Sequence, residues 1–277
     1  MIDPNDLLVT KKRHLSISQL NMLSKCGEQY YQRYGLGNIK PPGIAAIVGR
    51  TVDNSVTNNL GCKLKGEPLM SLEAVRDLTA DNYQHMIKNE EIALSREEMA
   101  YGKDIVLGEG KDKAIRLARL HATEFAPKIK PTHLQRKVEV ILENFPYDLV
   151  GYIDIQEGLQ AIRDTKTAKK TPPKDVADKE DQLTIYALMA WRIDGEIVKE
   201  LSMDYLIDIA IPKAVPFKST RTVSDFQVLL RRVEVAAKAL QAGIFVPARE
   251  TDWWCSEKWC GYYPECKYVK RIKRPEN

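Results

Sequence analysis

The sequence predicts an α/β (α+β) fold, a mixed central sheet flanked by helices. Three observations carry that prediction. Segments within 137–165 and 201–209 alternate apolar and polar residues, the period-two repeat of a strand whose successive side chains face opposite ways. Stretches near 16–34, 181–192 and 224–240 instead repeat apolar residues every three or four positions, the stripe of an amphipathic helix. Finally, 277 residues at 44% hydrophobic content can bury a large core, so the whole chain, 1–277, is expected to form a single domain.

The elements follow in order. Residues 1–13 read as a polar lead-in. Ser16 and Gln19 match a capping box, so a helix begins there, with Leu20, Leu23, Cys26, Tyr30 and Tyr34 on its stripe. Gly35, Gly37, Pro41, Pro42 and Gly43 break it. A second helix is expected from about Ala45 and contains Gly49 and Asp53. Residues 70–130 mix charged and apolar positions without strand-like runs. They predict a helical insertion of two amphipathic helices, one through Leu72 to Met99 and one through Ala114 to Phe125, able to wall a nucleic-acid channel. His85, His121 and His133 lack ligand-like spacing and read as packing or surface residues.

A three-strand antiparallel meander comes next. Val138, Val140 and Leu142 alternate, Asn144-Phe145-Pro146-Tyr147 connects into a strand from Leu149 to Ile155, and a turn at Gln156 to Gly158 leads into Leu159 to Thr165. A helix is expected from Asp181 to Arg192 and a strand from Leu201 to Ile209. Ser224 with Gln227 is expected to cap a long helix carrying Phe226, Leu229, Leu230, Val233 and Leu240, ended by Gly243.

The net charge of +4 is too small to name a partner, and the basic run Lys267, Lys270, Arg271, Lys273 and Arg274 is the kind of feature a solvated terminus often carries. No apolar run approaches the length of a membrane helix and the N-terminus has no secretory core. A cytoplasmic protein without a membrane partner is expected.

Chemistry concentrates between Leu149 and Tyr186. Two apolar segments each carry an acid, Asp154 and Asp164, where a buried strand should have none. Ile162, Asp164 and Lys166 are spaced by two and share one strand face. Two neighbouring carboxylates repel unless one stays protonated or a cation joins them. A hard ion such as Mg²⁺, with oxygen ligands and retained waters, suits such a pair plus a backbone carbonyl, here that of Thr165. Lys166 could then hold an attacking water or balance charge on a phosphate. The Lys169-Lys170-Thr171-Pro172-Pro173-Lys174 loop adds positive charge where a phosphodiester would lie. Gln182 and Tyr186, four apart, face the same way from a helix. The bland alternative is an ordinary Asp164–Lys166 salt bridge with Asp154 in a turn.

A second signal is sulfur. Cys255, Cys260 and Cys266 fall within a dozen residues among Trp253, Trp254, Trp259, Tyr262 and Tyr263. In a cytosolic chain such a cluster points to metal rather than disulfides. Three thiolates need a fourth ligand, for which Cys26 is the best candidate; soft donors suit zinc or an iron–sulfur cluster. Buried or surface thiols with a core of aromatics are the alternative. Cys62 has no partner in this scheme.

Gly151-Tyr152-Ile153-Asp154, then Arg163-Asp164-Thr165-Lys166, then Asp181-Gln182-Leu183-Thr184-Ile185-Tyr186 resembles the PD-(D/E)XK nuclease superfamily in its RecB-like exonuclease branch. The resemblance implies a restriction-endonuclease-like core and Mg²⁺- or Mn²⁺-dependent hydrolysis of DNA, single-stranded or with free ends. It implies metal ligation by Asp154 and Asp164 and a catalytic Lys166. Gln182 and Tyr186 would lie beside the site and meet the strand. Where the family commonly has Gly-x-x-x-His, this chain has Gly49 followed by Asp53, a carboxylate that can also ligate a hard cation or stand as an exposed helix residue. Glu139 is a weak match to a Glu of the first strand. The iron–sulfur subset of the branch implies a [4Fe–4S] cluster on Cys26, Cys255, Cys260 and Cys266, with segment 253–268 closing onto the N-terminal helix. Here the first C-terminal interval is Cys-x4-Cys, where the family usually has Cys-x2-Cys, so Zn²⁺ remains an alternative. The expected activity is an exonuclease of recombination, repair or phage DNA processing, with a homo-oligomer or a recombination partner protein as further expectations. The alternatives are an inactive DNA-binding or assembly module on the same fold and a zinc-stabilised endonuclease.

Overall fold

The computed structural model describes residues 14–141 and 147–269. The polar lead-in, Leu142, the Asn144-Phe145-Pro146 connection and the basic residues Lys270, Arg271, Lys273 and Arg274 lie outside the described residues. The chain divides into two compact units, one of Met1–Lys40, Ile141–Leu149 and Leu230–Asn277, the other of Pro41–Val140 and Val150–Leu229.

The first unit opens with a short strand, β1 (His14–Ser16), and α1 (Ile17–Lys25). The predicted capping box is present: Ser16 Oγ accepts from Gln19 N–H while the Gln19 side chain accepts from Ser16 N–H. The expected single helix does not run on to Tyr34. Cys26 adopts an extended backbone and separates α1 from α2 (Gly27–Tyr30), which continues as a π turn over Tyr31–Gly35. At Gly27 a Cβ would come within 2.5 Å of the Phe245–Val246 backbone, so only glycine lets the two segments touch. The Gly27 N–H donates to Val246 O there. Tyr30 and Tyr31 pack on Phe245, with ring centroids 6.1 and 5.0 Å away.

In the second unit α3 (Ile44–Leu64) is the axis of the core. Its Ile47, Val52 and Leu60 are fully buried, each worth about 1.5–3 kcal/mol of transfer free energy. The insertion is helical as expected but has three helices: α4 (Leu72–Asn89), α5 (Arg96–Tyr101) and α6 (Lys103–Glu124). The helix expected to reach Met99 ends at Asn89. Ser95 and Glu98 form a capping box that starts a new one, and Gly102 at φ 116° ends it. β2 (His133–Val140), β3 (Asp148–Gln156) and β4 (Ala161–Ala168) are the three strands expected here. β2 pairs with β3, and β3 pairs antiparallel with β4.

After β4 come α7 (Val176–Lys179) and α8 (Asp181–Asp194), stopped by Gly195 in the left-handed region. β5 (Glu200–Ile207) then pairs parallel with β4, making the sheet mixed. β6 (Lys213–Ser219), antiparallel to β5, has no counterpart among the expectations. Its Pro216 argues against a strand interior, and the structure accommodates it at the sheet's edge. α9 (Val223–Gln241) buries the predicted Phe226, Leu229, Val233 and Leu240. Its cap lies two residues before the expected pair: Thr222 N–H and Oγ1 donate to the Asp225 carboxylate, in place of Ser224 and Gln227. No helix among the described residues is long and apolar enough to cross a membrane.

Candidate active site

The ladder between β3 and β4 pairs Ile155 with Arg163 and Gln156 with Ile162. One residue further along the two strands stand Asp154 and Asp164, whose carboxyls are close enough to hydrogen-bond. Asp164 is fully buried. Lys166, two residues on and hence on the same face, lies 3.0 Å from Asp164 Oδ1 and 2.7 Å from Oδ2. Its Nζ also donates to Gln182 Oε1 at 3.0 Å, and Gln182 Nε2 donates to Tyr186 Oη at 2.7 Å. α8 thus delivers one polar edge, Gln182 over Tyr186, to the face of β4. Tyr186 is buried and acts on this cluster through Gln182. Gly151 makes room for that helix, since a Cβ there would meet Met189 Sδ at 3.1 Å and Tyr186 at 3.5 Å. Thr165, between the two polar residues of β4, turns a buried and unpartnered Oγ1 the other way.

Asp53 of α3 completes the group. It is half-buried rather than an exposed helix residue, and burial together with the Asp164 charge raises its pKa. Burial, then Asp164, then Asp53 push the Asp154 carboxyl up to about 9. Burial works against the Lys166 ammonium, but Asp164 outweighs it and the pKa is raised. Three carboxyl groups therefore face one ammonium. Asp164 Oδ2, although 2.7 Å from Lys166 Nζ, makes no hydrogen bond in acceptable geometry.

The opposite face of β4 is different. Arg163 Nε donates to Glu157 Oε1 at 2.5 Å, and Nη1 reaches both oxygens of Asp204 at 3.3 and 3.4 Å. The Ser202 hydroxyl also donates to Asp204, at 2.6 Å. There Arg163 and the Ser202 hydroxyl bind the acids directly, although burial still raises the Asp204 pKa. On the Asp154–Asp164 side three carboxyl groups meet one ammonium, with oxygen donors of the kind a hard divalent cation takes. The residues present fit such an ion. Among the described residues, however, no group of three or more His, Cys, Asp or Glu is already arranged as a metal cage.

Two features of this region were not anticipated. Gln135 of β2 is the one described non-glycine residue with positive φ, 47°, and its amide donates to Asp53 at 3.3 Å. No sequence signal marks a strained glutamine. Arg221, buried just ahead of α9, binds the backbone around the start of α8. Glu139 does not join the site: its side chain is exposed and pairs with Lys137 at 3.6 Å. Lys169, Lys170 and Lys174 are exposed in the loop after β4.

The sulfur group lies in the other unit. Cys26, Cys255, Cys260 and Cys266 are half-buried and form no disulfide with one another. Burial raises the Cys255 thiol pKa, and Cys26, Cys260 and Cys266 raise it further, which makes the other three its electrostatic neighbours. Burial likewise raises Cys260, with Cys26 and Cys266 adding to it. Cys26 Sγ accepts from Ala248 N–H at 3.3 Å, which ties the chain's first helices to the segment after α9. Sulfur donors suit zinc or an iron–sulfur cluster, but among the described residues these four are not arranged as a metal-holding group. Cys62, on α3, belongs to the other unit and donates to Asn58 O.

The sequence profile of the PD-(D/E)XK nuclease superfamily matches residues 14–267. Among solved structures, a protein from Eubacterium rectale provisionally described as an exonuclease is similar at 16% identity and a TM-score of 0.54, over 96% of this chain and 91% of that one. A second, SSO0001, aligns over 96% of both chains at 11% identity and a TM-score of 0.43. No curated protein matches the sequence.

Proposed function

Because the chain belongs to the PD-(D/E)XK nuclease superfamily, we propose that it is a Mg²⁺- or Mn²⁺-dependent exonuclease that hydrolyses DNA phosphodiester bonds. The observation that carries this reading is the Asp154–Asp164 pair, within hydrogen-bonding reach of each other beside Lys166. Asp154 and Asp164, with Asp53 and the Thr165 carbonyl, would hold the ion. Bound there, a divalent ion supplies Lewis-acid activation of the phosphate and of water. Lys166 stays protonated under its raised pKa. It therefore serves as a donor rather than a base. An ammonium has three N–H groups; Asp164 and Gln182 take two, and the third is left for a phosphoryl oxygen or the attacking water. Gln182 fixes that direction and Tyr186 fixes Gln182. The exposed lysines at 169, 170 and 174 offer phosphate contacts.

Cys26, Cys255, Cys260 and Cys266 are assigned to a [4Fe–4S] cluster or Zn²⁺ that staples the smaller unit. Visible absorbance and metal analysis of anaerobically purified protein separate the two. The substrate proposed is DNA that is single-stranded or has free ends, in recombination, repair or phage DNA processing.

The test is cleavage of end-labelled linear DNA, and of its circular counterpart, with Mn²⁺ present. Lys166→Ala should abolish products while keeping the fold and the sulfur-bound metal. Cleavage by that variant at the wild-type rate would refute the assignment. Binding without products in the native protein would make it a DNA-binding module.

A further inference from the structure

The guanidinium of Arg221 is buried; its hydrogen bonds go to carbonyls and hydroxyls, while the charges of Asp225, Asp178, Asp181 and Glu180 act on it from nearby. Its Nη2 donates to the carbonyls of Ala177 at 2.8 Å, Asp178 at 3.2 Å and Glu180 at 3.2 Å. Nε donates to Thr184 Oγ1 at 2.7 Å, and Nη1 to Ser219 Oγ at 2.5 Å and Thr220 O at 2.9 Å. Burying a guanidinium is costly, and burial lowers its pKa here, so the position calls for an explanation.

The acceptors supply one. α7 has only four residues, and carbonyls at a helix end have no partner within the helix. Arg221 gathers those carbonyls together with the carbonyl that caps α8 and a hydroxyl from its first turn. Gln182 sits between Glu180 and Thr184, held from both sides. The rest of α8 is packed by Leu183, Ile185, Ala187 and Leu188, so the helix does not need Arg221 to exist. What Arg221 sets is where its first turn stands. We propose that Arg221 is a positioning residue of the reaction: it locks the α7–α8 corner so that Gln182 meets Lys166 at hydrogen-bond distance, while itself touching neither substrate nor ion.

This rests on the roles given above to Lys166 and Gln182. Arg221→Lys keeps the charge but cannot reproduce the planar fork. Thr184→Val keeps the guanidinium and removes its bond to the Thr184 hydroxyl, together with the longer Thr184 Oγ1–Glu180 O contact at 3.4 Å. Both are compared with Lys166→Ala on end-labelled DNA, alone and combined with Gln182→Ala. Arg221→Lys should lower kcat about 10-fold or more with KM within about twofold. In the Gln182→Ala background it should cost less than about twofold further, because both changes break one path. Thr184→Val should lower kcat in the same direction. Without metal, amide exchange at 181–184 should quicken in Arg221→Lys while the remainder of α8 stays protected. Wild-type kcat in Arg221→Lys, or losses that multiply in the Gln182→Ala background, would overturn the proposal. If Arg221→Lys fails to fold, Thr184→Val decides by the same criteria. Cleavage by Lys166→Ala would sink the nuclease assignment itself; a dead Lys166→Ala beside a fully active Arg221→Lys sinks the Arg221 proposal alone.

Discussion

Lys166 Nζ stands 3.0 Å from Gln182 Oε1, so the cation on the sheet and the amide on the helix form one unit. A hydrogen bond to a charged group contributes about 1.5–3 kcal/mol. Gln182→Ala should therefore slow cleavage about 10- to 100-fold, measured as kcat on end-labelled DNA, with little change in thermal stability. Tyr186→Phe removes only the buttress behind Gln182 and should cost less than Gln182→Ala.

Asp154→Asn tests the excess of acid. In the metal-free fold the Asp154 carboxyl, pushed up to about 9, stays protonated, whereas in the unfolded chain it ionises at neutral pH. A neutral amide removes that gain of the unfolded chain, so the variant should melt several degrees above the native protein in EDTA. Mn²⁺ should raise the melting temperature of the native protein and leave that of the variant almost unmoved. A native protein indifferent to Mn²⁺ would remove the case for an ion at this pair.

His121 predicts an acid limit. It is fully buried, neither ring nitrogen has a hydrogen-bond partner, and burial with the Arg163 charge lowers its pKa to about 3. Above its ordinary value of about 6.5 the ring is neutral in both folded and unfolded chains. Below that, the unfolded chain takes a proton that the folded chain refuses, so the stability contributed by this ring is lost as pH drops toward 3, on the order of 3 kcal/mol by pH 4. Asp154, held protonated up to about 9, changes stability the other way over the same range. The loss is therefore read as the difference between native protein and His121→Leu in urea unfolding at pH 7 and pH 4: the native protein should lose that amount relative to the variant at the lower pH.

The cysteines divide into four and one. Replacing Cys26, Cys255, Cys260 or Cys266 by Ser should strip the bound metal and lower the melting temperature, whereas Cys62→Ser should change neither. Equal metal content in Cys26→Ser and the native protein would exclude Cys26 from the ligand set.

Gln135→Gly should relieve a left-handed backbone at a stabilising gain of about 1 kcal/mol, yet lose the hydrogen bond to Asp53. Higher stability with lower activity is the expected pair of readings from thermal melts and Mn²⁺-dependent cleavage.

Much of this was legible before any coordinates. Alternation and spacing placed Asp154, Asp164 and Lys166 on adjacent strands, and the four-residue step placed Gln182 and Tyr186 together. Local patterns failed where tertiary contacts decide. The helix expected through Cys26 breaks there, where the Cys26 thiol accepts the Ala248 amide 222 residues away. β6 was hidden by Pro216, which an edge strand tolerates. Arg221 was invisible because its acceptors are mostly backbone carbonyls, which leave no trace in side-chain spacing.

β4 divides its labour by residue parity. Even-numbered positions present an acid and an ammonium left open to chemistry; odd-numbered ones turn Arg163 toward Glu157 and Asp204 in a closed ionic lattice. A saturation scan along this one strand should therefore return two interleaved phenotypes, inert but intact proteins from 164 and 166, and unstable ones from 163. Loss of activity alone would blur them, and a melting curve beside each assay would sort them.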